Sequence, residues 1–207
     1  MGQGYMKKIF LARHGQTDAN ITFTYQGHID NHLNANGLLQ AQKMANYFEN
    51  MELPKIYTSD LVRTVETAQP TAEARNSEII RISALKEISF GYWEGLTYDE
   101  IKQKWPRDID AFFKKPADLK INGGESFREV QERAWDSFQK IVSEHDDKSN
   151  VFIVSHGGTV RTILCAIMNL DLNEMWKISV DNAAISCILQ LENRSWIKNI
   201  NDTNFLK

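Results

Sequence analysis

Short apolar runs recur along this chain, and each is separated from the next by a longer stretch whose apolar residues follow helical spacing. "KIFLA" (Lys8–Ala12), "KIYTS" (Lys55–Ser59), "IIRI" (Ile79–Ile82) and "VFIVS" (Val151–Ser155) have the length and composition of buried strands. "AISCILQL" (Ala184–Leu191) reads as a fifth strand and "SWIKNI" (Ser195–Ile200) as an edge strand. This alternation constrains the fold more than any other feature. It predicts a three-layer α/β architecture, with a mostly parallel sheet covered by helices on both faces.

The intervening stretches carry helix signals. Leu38, Ala41, Ala45 and Phe48 share one helical face, and Asn34 or Asn36 can cap it. Ser59 or Asp60 can cap a helix from near Leu61, which Pro70 is expected to kink or break. Thr97 with Glu100, and Ser126 with Glu129, have capping-box spacing. From the second box, Val130, Ala134, Phe138 and Ile141 form a stripe running to about Glu144, and Gly157–Leu170 reads as the last helix. The segment Leu96–Gly124 reads as irregular, rich in aromatics and lysines, and is expected to be a small lid insertion over one end of the sheet. There is no internal repeat and no low-complexity linker. A chain of 207 residues can build one sizeable core, so a single domain over residues 1–207 is expected, with the lid at roughly 96–124.

Composition narrows the partners. A net charge of −3 lacks the basic excess of a general nucleic-acid binder. No apolar run approaches the ~18 residues of a membrane helix, and Met1–Lys8 lacks the apolar stretch of a signal peptide. Cys165 and Cys187 both sit in apolar stretches and read as buried thiols, which fits a cytoplasmic location. Met6 is an alternative start to Met1. "SWIKNI" suits either a dimer edge or the closing strand of a monomer, so monomer and homodimer both stand.

In a sheet of this kind ligands bind beyond the carboxyl ends of the strands. His14 follows the first strand in "RHG" and His156 follows "VFIVS" in "SHGG". Glycine after each histidine, Gly157 in the second case, lets the backbone turn sharply and approach a ligand. The helix after His156 would aim its N-terminal dipole at the same place, which suits an anion. Arg13 precedes His14, Arg63 lies early in the helix after the second strand, and Glu87 follows the third. Two arginines, two histidines and a helix N-terminus around one point would hold a dianion, phosphate above all, with Glu87 as an acid. Competing chemistries lack their motifs. The chain has no Gly-x-x-x-x-Gly-Lys-Ser/Thr loop, no cysteine followed six positions later by arginine, no Gly-x-Ser-x-Gly elbow and no His-Glu-x-x-His.

These residues resemble a known family. "LARHGQTDAN", "YQGHIDNHLNANG", "SDLVRTVETA", "LKEISFGYWEG", "NGGESF" and "VSHGGTVR" are similar, in order, to the motifs of the histidine phosphatase superfamily, the phosphoglycerate mutase-like proteins. The resemblance implies that His14 is the nucleophile, that Arg13, Arg63 and His156 bind the phosphoryl group, and that Glu87 is the general acid. It implies no metal and no cofactor, since arginines neutralise the phosphate. Asn20, Gln26 and Gly27 match positions that line the substrate side. Ala19 and Thr24 stand where the family pattern has tryptophan and arginine, and Gln16 stands where glutamate is common.

The segment "FGYWEGLTYDEIKQKWPRDIDAFFKKPADLKINGGESF" resembles the shorter, phosphatase version of this family rather than the longer mutase one. The expected activity is therefore hydrolysis of small phosphomonoesters with broad specificity. The alternatives are an α-ribazole phosphate phosphatase, whose "FGYWEG" element is similar, a 2,3-bisphosphoglycerate-dependent phosphoglycerate mutase, and a non-enzymatic phosphate-binding protein. Phe90, Tyr92, Trp93, Trp105, Phe112 and Phe113 either pack a small satellite core or face an aromatic leaving group, while Lys114, Lys115 and Lys120 either assist a sugar phosphate or are solvated.

Overall fold

The computed structural model describes residues 6–192 and 194–207; the choice between Met1 and Met6 as the start turns on residues outside that set. Six strands form one sheet: β1 (Lys7–Arg13), β2 (Lys55–Thr58), β3 (Glu78–Arg81), β4 (Asn150–Ser155), β5 (Ile185–Leu191) and β6 (Arg194–Asp202). Their spatial order is β3-β2-β4-β1-β5-β6. The first four are mutually parallel, β5 runs against β1, and β6 runs against β5 as an edge. Every strand expected from the apolar runs is present, with ends shifted by one or two residues.

After the single-turn α1 (Asp18–Ile21), helices α2 (Ala35–Tyr47) and α3 (Val62–Arg75) cover one face of the sheet, and α6 (Phe127–Ser143) and α7 (Gly157–Met168) the other. Strand periodicity dictates this division, because successive side chains point to opposite faces. Phe10, Ala12, Phe152 and Val154 pack with Met44 and Phe48 on one side, and Ile9, Leu11, Val151 and Ile153 pack with the α6 and α7 residues on the other. Cys165 and Cys187 are buried free thiols, one in each core. Among the described residues no helix is long and apolar enough to cross a membrane.

Both capping boxes form: Thr97 opens α4 (Tyr98–Lys104) and Ser126 opens α6. The expectations for Leu38 and Pro70 need correction, and two open choices of cap are resolved. Leu38 is 53% exposed, because the buried stripe of α2 is Gly37, Ala41, Met44 and Ala45, continuing to Phe48. The cap of α2 is Asn34, which accepts from Gly37 N–H, rather than Asn36. Asp60 does not cap α3; it pairs with Lys86, while Asp30 from a distant loop accepts the Val62 N–H and Ser59 Oγ the Leu61 N–H. Pro70 does not break α3, which continues to Arg75 and ends at Asn76 in the left-handed conformation. Burial of Thr67, Ala68, Thr71 and Ala72 on both sides of Pro70 holds the helix together despite the missing N–H. The segment 96–124 is also more regular than expected, for it carries α4 and α5 (Pro106–Lys114). Its Ile101, Ile109, Phe112, Ala117 and Ile121 belong to the same core as α6 and α7, so Trp93 and Phe112 do not form a separate satellite.

Candidate active site

The pairing of β1 with β4 places Arg13 opposite Ser155. One residue further, where both strands end, stand His14 and His156. The ladder continues into this turn, since His14 N–H donates to Ser155 O at 2.9 Å. The two imidazoles meet edge to face with centroids 5.2 Å apart. His14 borders a pocket of about 550 Å³ lined also by Arg13, Arg63, Glu87 and Gly157, whereas His156, fully buried behind it, is not among the lining residues.

His14 is 3% exposed, and its Nδ1 lies 2.7 Å from Gly15 O. A carbonyl can only accept, so Nδ1 carries the proton and Nε2 carries the free lone pair. Burial holds the His14 pKa well below 6.5, and the Arg63 and Arg13 charges add to the effect. The ring is thus a neutral base with a fixed tautomer, which is what a nitrogen nucleophile requires.

The charged groups around it are short of partners. Arg63 is 1% exposed, and its Nη1 and Nη2 donate to Ile29 O and Gly27 O at 2.9 and 2.8 Å. Arg13 Nη1 donates to Val180 O at 2.7 Å. Burial pushes both guanidiniums down to about 10, with Glu87 acting in the opposite sense, so they stay charged near neutral pH. Arg13 Nε, Arg63 Nε and His156 Nδ1 are buried without any hydrogen-bond partner. Buried donors are rarely left unpaired, and two on residues that line one pocket, Arg13 and Arg63, mark where an acceptor-rich group binds. His156 Nε2 is engaged with Ser59 Oγ at 2.8 Å, which fixes the ring.

Glu87 sits opposite the N-terminus of α7. Gly158 N–H donates to its Oε2 at 3.0 Å, and Thr159 N–H and Ile88 N–H each to its Oε1 at 3.1 Å. Part of the helix N-terminus expected to serve the anion therefore holds this carboxylate instead. Asn20 and Gln26 both line the pocket, but their carbonyl oxygens are occupied. Asn20 Oδ1 accepts from Thr17 N–H at 3.0 Å and from Asn182 at 3.0 Å, and Gln26 Oε1 from Thr17 Oγ1 at 3.0 Å. Gly27 contributes its carbonyl to Arg63, and Gly157, whose carbonyl accepts from Arg161, begins α7.

The sequence reading passed over Arg161. It lies one turn after Gly157 on the same side of α7, and that i,i+4 spacing was the available signal. Its Nε donates to Ile178 O at 2.8 Å, its guanidinium lies 5.4 Å from the Trp176 ring centroid, and it lines the pocket. Among the lining residues three guanidiniums (Arg13, Arg63, Arg161) stand with a single carboxyl group, Glu87, an excess of positive groups that suits an anion. Beyond this cup the walls are aromatic: Tyr25, Phe90, Tyr98, Phe112, Phe113 and Trp176. Trp105 and Tyr92 are not among the lining residues, and neither are Lys114, Lys115 and Lys120.

Residues 9–203 match the family described as histidine phosphatase superfamily (branch 1). The chain is 34% identical over 198 residues to phosphoserine phosphatase 1 of Hydrogenobacter thermophilus, covering 96% of this chain and 93% of that one. It is 35% identical over 193 residues to the metal-independent phosphoserine phosphatase of Arabidopsis thaliana, covering 92% and 79%. Among solved structures, Bacillus stearothermophilus YhfR superposes with a TM-score of 0.91 at 31% identity, over 97% of this chain and all of that one.

Proposed function

Because this chain belongs to branch 1 of the histidine phosphatase superfamily, and is a phosphatase, we propose that it hydrolyses small phosphomonoesters without a metal, through a phosphoryl group carried on His14. The observation that carries this reading is the state of His14, a buried imidazole whose Nδ1–H is committed to Gly15 O and which lines one pocket with Arg13 and Arg63, each with an unpaired buried Nε. Nε2 attacks phosphorus, the bond to the leaving oxygen breaks, and Glu87 supplies the proton that oxygen needs. Water then attacks phosphohistidine, Glu87 takes the water's proton, and the P–N bond breaks to release phosphate. Arg13, Arg63 and His156 donate to the equatorial oxygens throughout, doing the charge neutralisation that magnesium does in other phosphoryl-transfer sites.

The leaving group would occupy the aromatic half of the pocket, and the segment 96–124 serves as the wall on that side. Phosphoserine is the substrate in the names of the relatives above. In this pocket Arg161 suits a carboxylate, yet Glu87 is the only carboxylate among the lining residues, leaving none for an ammonium group. Broad specificity therefore fits better than a dedicated phosphoserine activity. Aromatic alcohols, and carboxylate-bearing alcohols without an ammonium group, rank ahead of serine. This covers α-ribazole phosphate, which carries an aromatic base.

The test is hydrolysis in EDTA of p-nitrophenyl phosphate, 3-phosphoglycerate, phosphoserine and α-ribazole phosphate. Wild type should turn over in EDTA, and His14→Ala should lose activity by at least 10³-fold, within the range general to such nucleophiles. Activity that needs added magnesium overturns the metal-free reading. A phosphoserine kcat/KM more than tenfold above the others overturns broad specificity. Formation of 2-phosphoglycerate rather than free phosphate, with 2,3-bisphosphoglycerate present, would make the chain a mutase.

A further inference from the structure

The backbone that presents Glu87 belongs to no helix or strand: residues 86–90 follow a 3₁₀ turn (Ser83–Leu85) and precede another (Gly91–Trp93). A segment without a ladder must be fixed some other way, or the carboxylate it carries will wander. Here side chains from other elements fix it. Arg133, on α6, donates from Nη1 to Ala84 O at 2.7 Å and Lys86 O at 2.9 Å, and from Nη2 to Glu87 O at 3.0 Å. One planar guanidinium thus binds three carbonyls, two of them just before Glu87 and one on Glu87 itself.

Glu125 locks that guanidinium in place. Arg133 Nε donates to Glu125 Oε1 at 2.8 Å and Nη2 to Oε2 at 2.9 Å, a two-bond fork, while Oε2 also accepts Ser89 N–H at 2.8 Å. The pair therefore holds a carbonyl at Glu87 and an amide at Ser89. Both side chains are mostly buried, 22% and 23% exposed, so solvent competes weakly for these bonds. His28 adds a donor, its Nε2 lying 2.9 Å from Glu87 O.

We propose that Arg133, oriented by Glu125, is a positioning residue that sets where the Glu87 carboxyl stands relative to the leaving-group oxygen. The proposal rests on Glu87 acting as the general acid. Arg133 touches neither the phosphate cup nor the substrate; it acts through the Glu87 backbone. Lysine cannot replace it, because an ammonium lacks the planar fork that spans three carbonyls and a carboxylate. A shift of about 1 Å in a reacting group can cost roughly 10²-fold, and that cost falls only on reactions that need the proton.

Leaving groups of different basicity read this out. p-Nitrophenolate departs without a proton, whereas the alkoxide from glycerol 2-phosphate requires one. kcat/KM is the proper measure, since it ends at phosphoryl transfer to His14. Arg133→Met and Arg133→Lys should each lower kcat/KM for glycerol 2-phosphate at least tenfold more than for p-nitrophenyl phosphate. Glu125→Gln, which keeps the side-chain shape and weakens the fork, should shift the ratio in the same direction and serves where the Arg133 variants fold poorly. Glu87→Gln is the reference. If it shows no leaving-group dependence, the general-acid reading fails and this inference with it. If Glu87→Gln shows the dependence and the Arg133 and Glu125 variants lower both substrates equally, the acid role stands and the positioning role is wrong.

Discussion

At Gly158 a single hydrogen stands where any other residue would carry a Cβ, which would fall 2.6 Å from Glu87 Oε1 and 2.8 Å from Phe127 Cε1. The ring of Phe127 is 1% exposed and cannot retreat, so the carboxylate must move. Gly158→Ala is therefore expected to lower kcat/KM for alkyl phosphates by roughly 10²-fold, while competitive inhibition by inorganic phosphate changes much less. Near-wild-type turnover in that variant would show that Glu87 tolerates displacement. The same residue scale explains what could be read in advance. Arg13, His14, Arg63 and His156 were legible as neighbours because Arg13 ends β1, His14 and His156 follow β1 and β4, and Arg63 opens α3, while Glu87, six residues beyond β3, was placed by order along the chain. Arg133 and Asn182 were not. Arg133 is one charge among several on an amphipathic helix, and Asn182, which donates to Asn20 at 3.0 Å, comes from 162 residues away.

The helices were legible in existence and less so in their ends, and the reason differs from case to case. α2 was placed correctly but its face was rotated. Gly37, not Leu38, turns inward, because a Cβ there would lie 2.1 Å from Gln16 O in the loop that follows His14. The demand for close backbone approach outweighs the hydrophobicity of leucine, and no periodicity rule contains it. α3 is the opposite case, where a strong local signal lost to packing. Pro70 has no N–H to give the carbonyl of Glu66, and its ring crowds that carbonyl, yet the helix persists to Arg75. That persistence has a cost. Pro70→Ala should restore the hydrogen bond and raise unfolding stability by about 2 kcal/mol, the interior proline penalty of ~3 less the ~1 by which proline restricts the unfolded chain. Urea unfolding of the two proteins measures it. A lower midpoint for the alanine variant would mean that α3 is already adapted to the ring.

For the molecule as a whole, the burial that suits His14 to the nucleophilic role proposed for it should also make the fold sensitive to acid. His14 and His156 are buried at 3% and 0% exposure, and burial, with Arg63 next, holds both pKa values well below 6.5. In the unfolded chain each recovers a pKa near 6.5, so below that pH the unfolded state binds protons that the native state refuses. The sign follows directly: stability is present at neutral pH and is lost as pH falls below about 6.5. His145, whose pKa burial also lowers with help from Lys7 and Lys55, acts in the same direction. Exposed His32, raised by its hydrogen bond to Glu66, acts in the opposite one, favouring the fold in acid. Each of the two buried histidines contributes about 1 kcal/mol of lost stability between pH 7.0 and 5.5. Unfolding free energies at these two pH values should therefore fall by about 1 kcal/mol more in wild type than in His14→Asn, which removes one titrating ring. Equal losses would mean that His14 takes up its proton in the native state as readily as in the unfolded chain, so that burial does not keep the ring neutral in acid. Inorganic phosphate, by accepting from the unpaired Arg13 and Arg63 Nε donors, should stabilise wild type at both pH values, because it binds the folded state and not the unfolded one. The acid lability and the catalytic competence thus have one physical origin, an imidazole kept neutral by burial beside uncompensated guanidiniums.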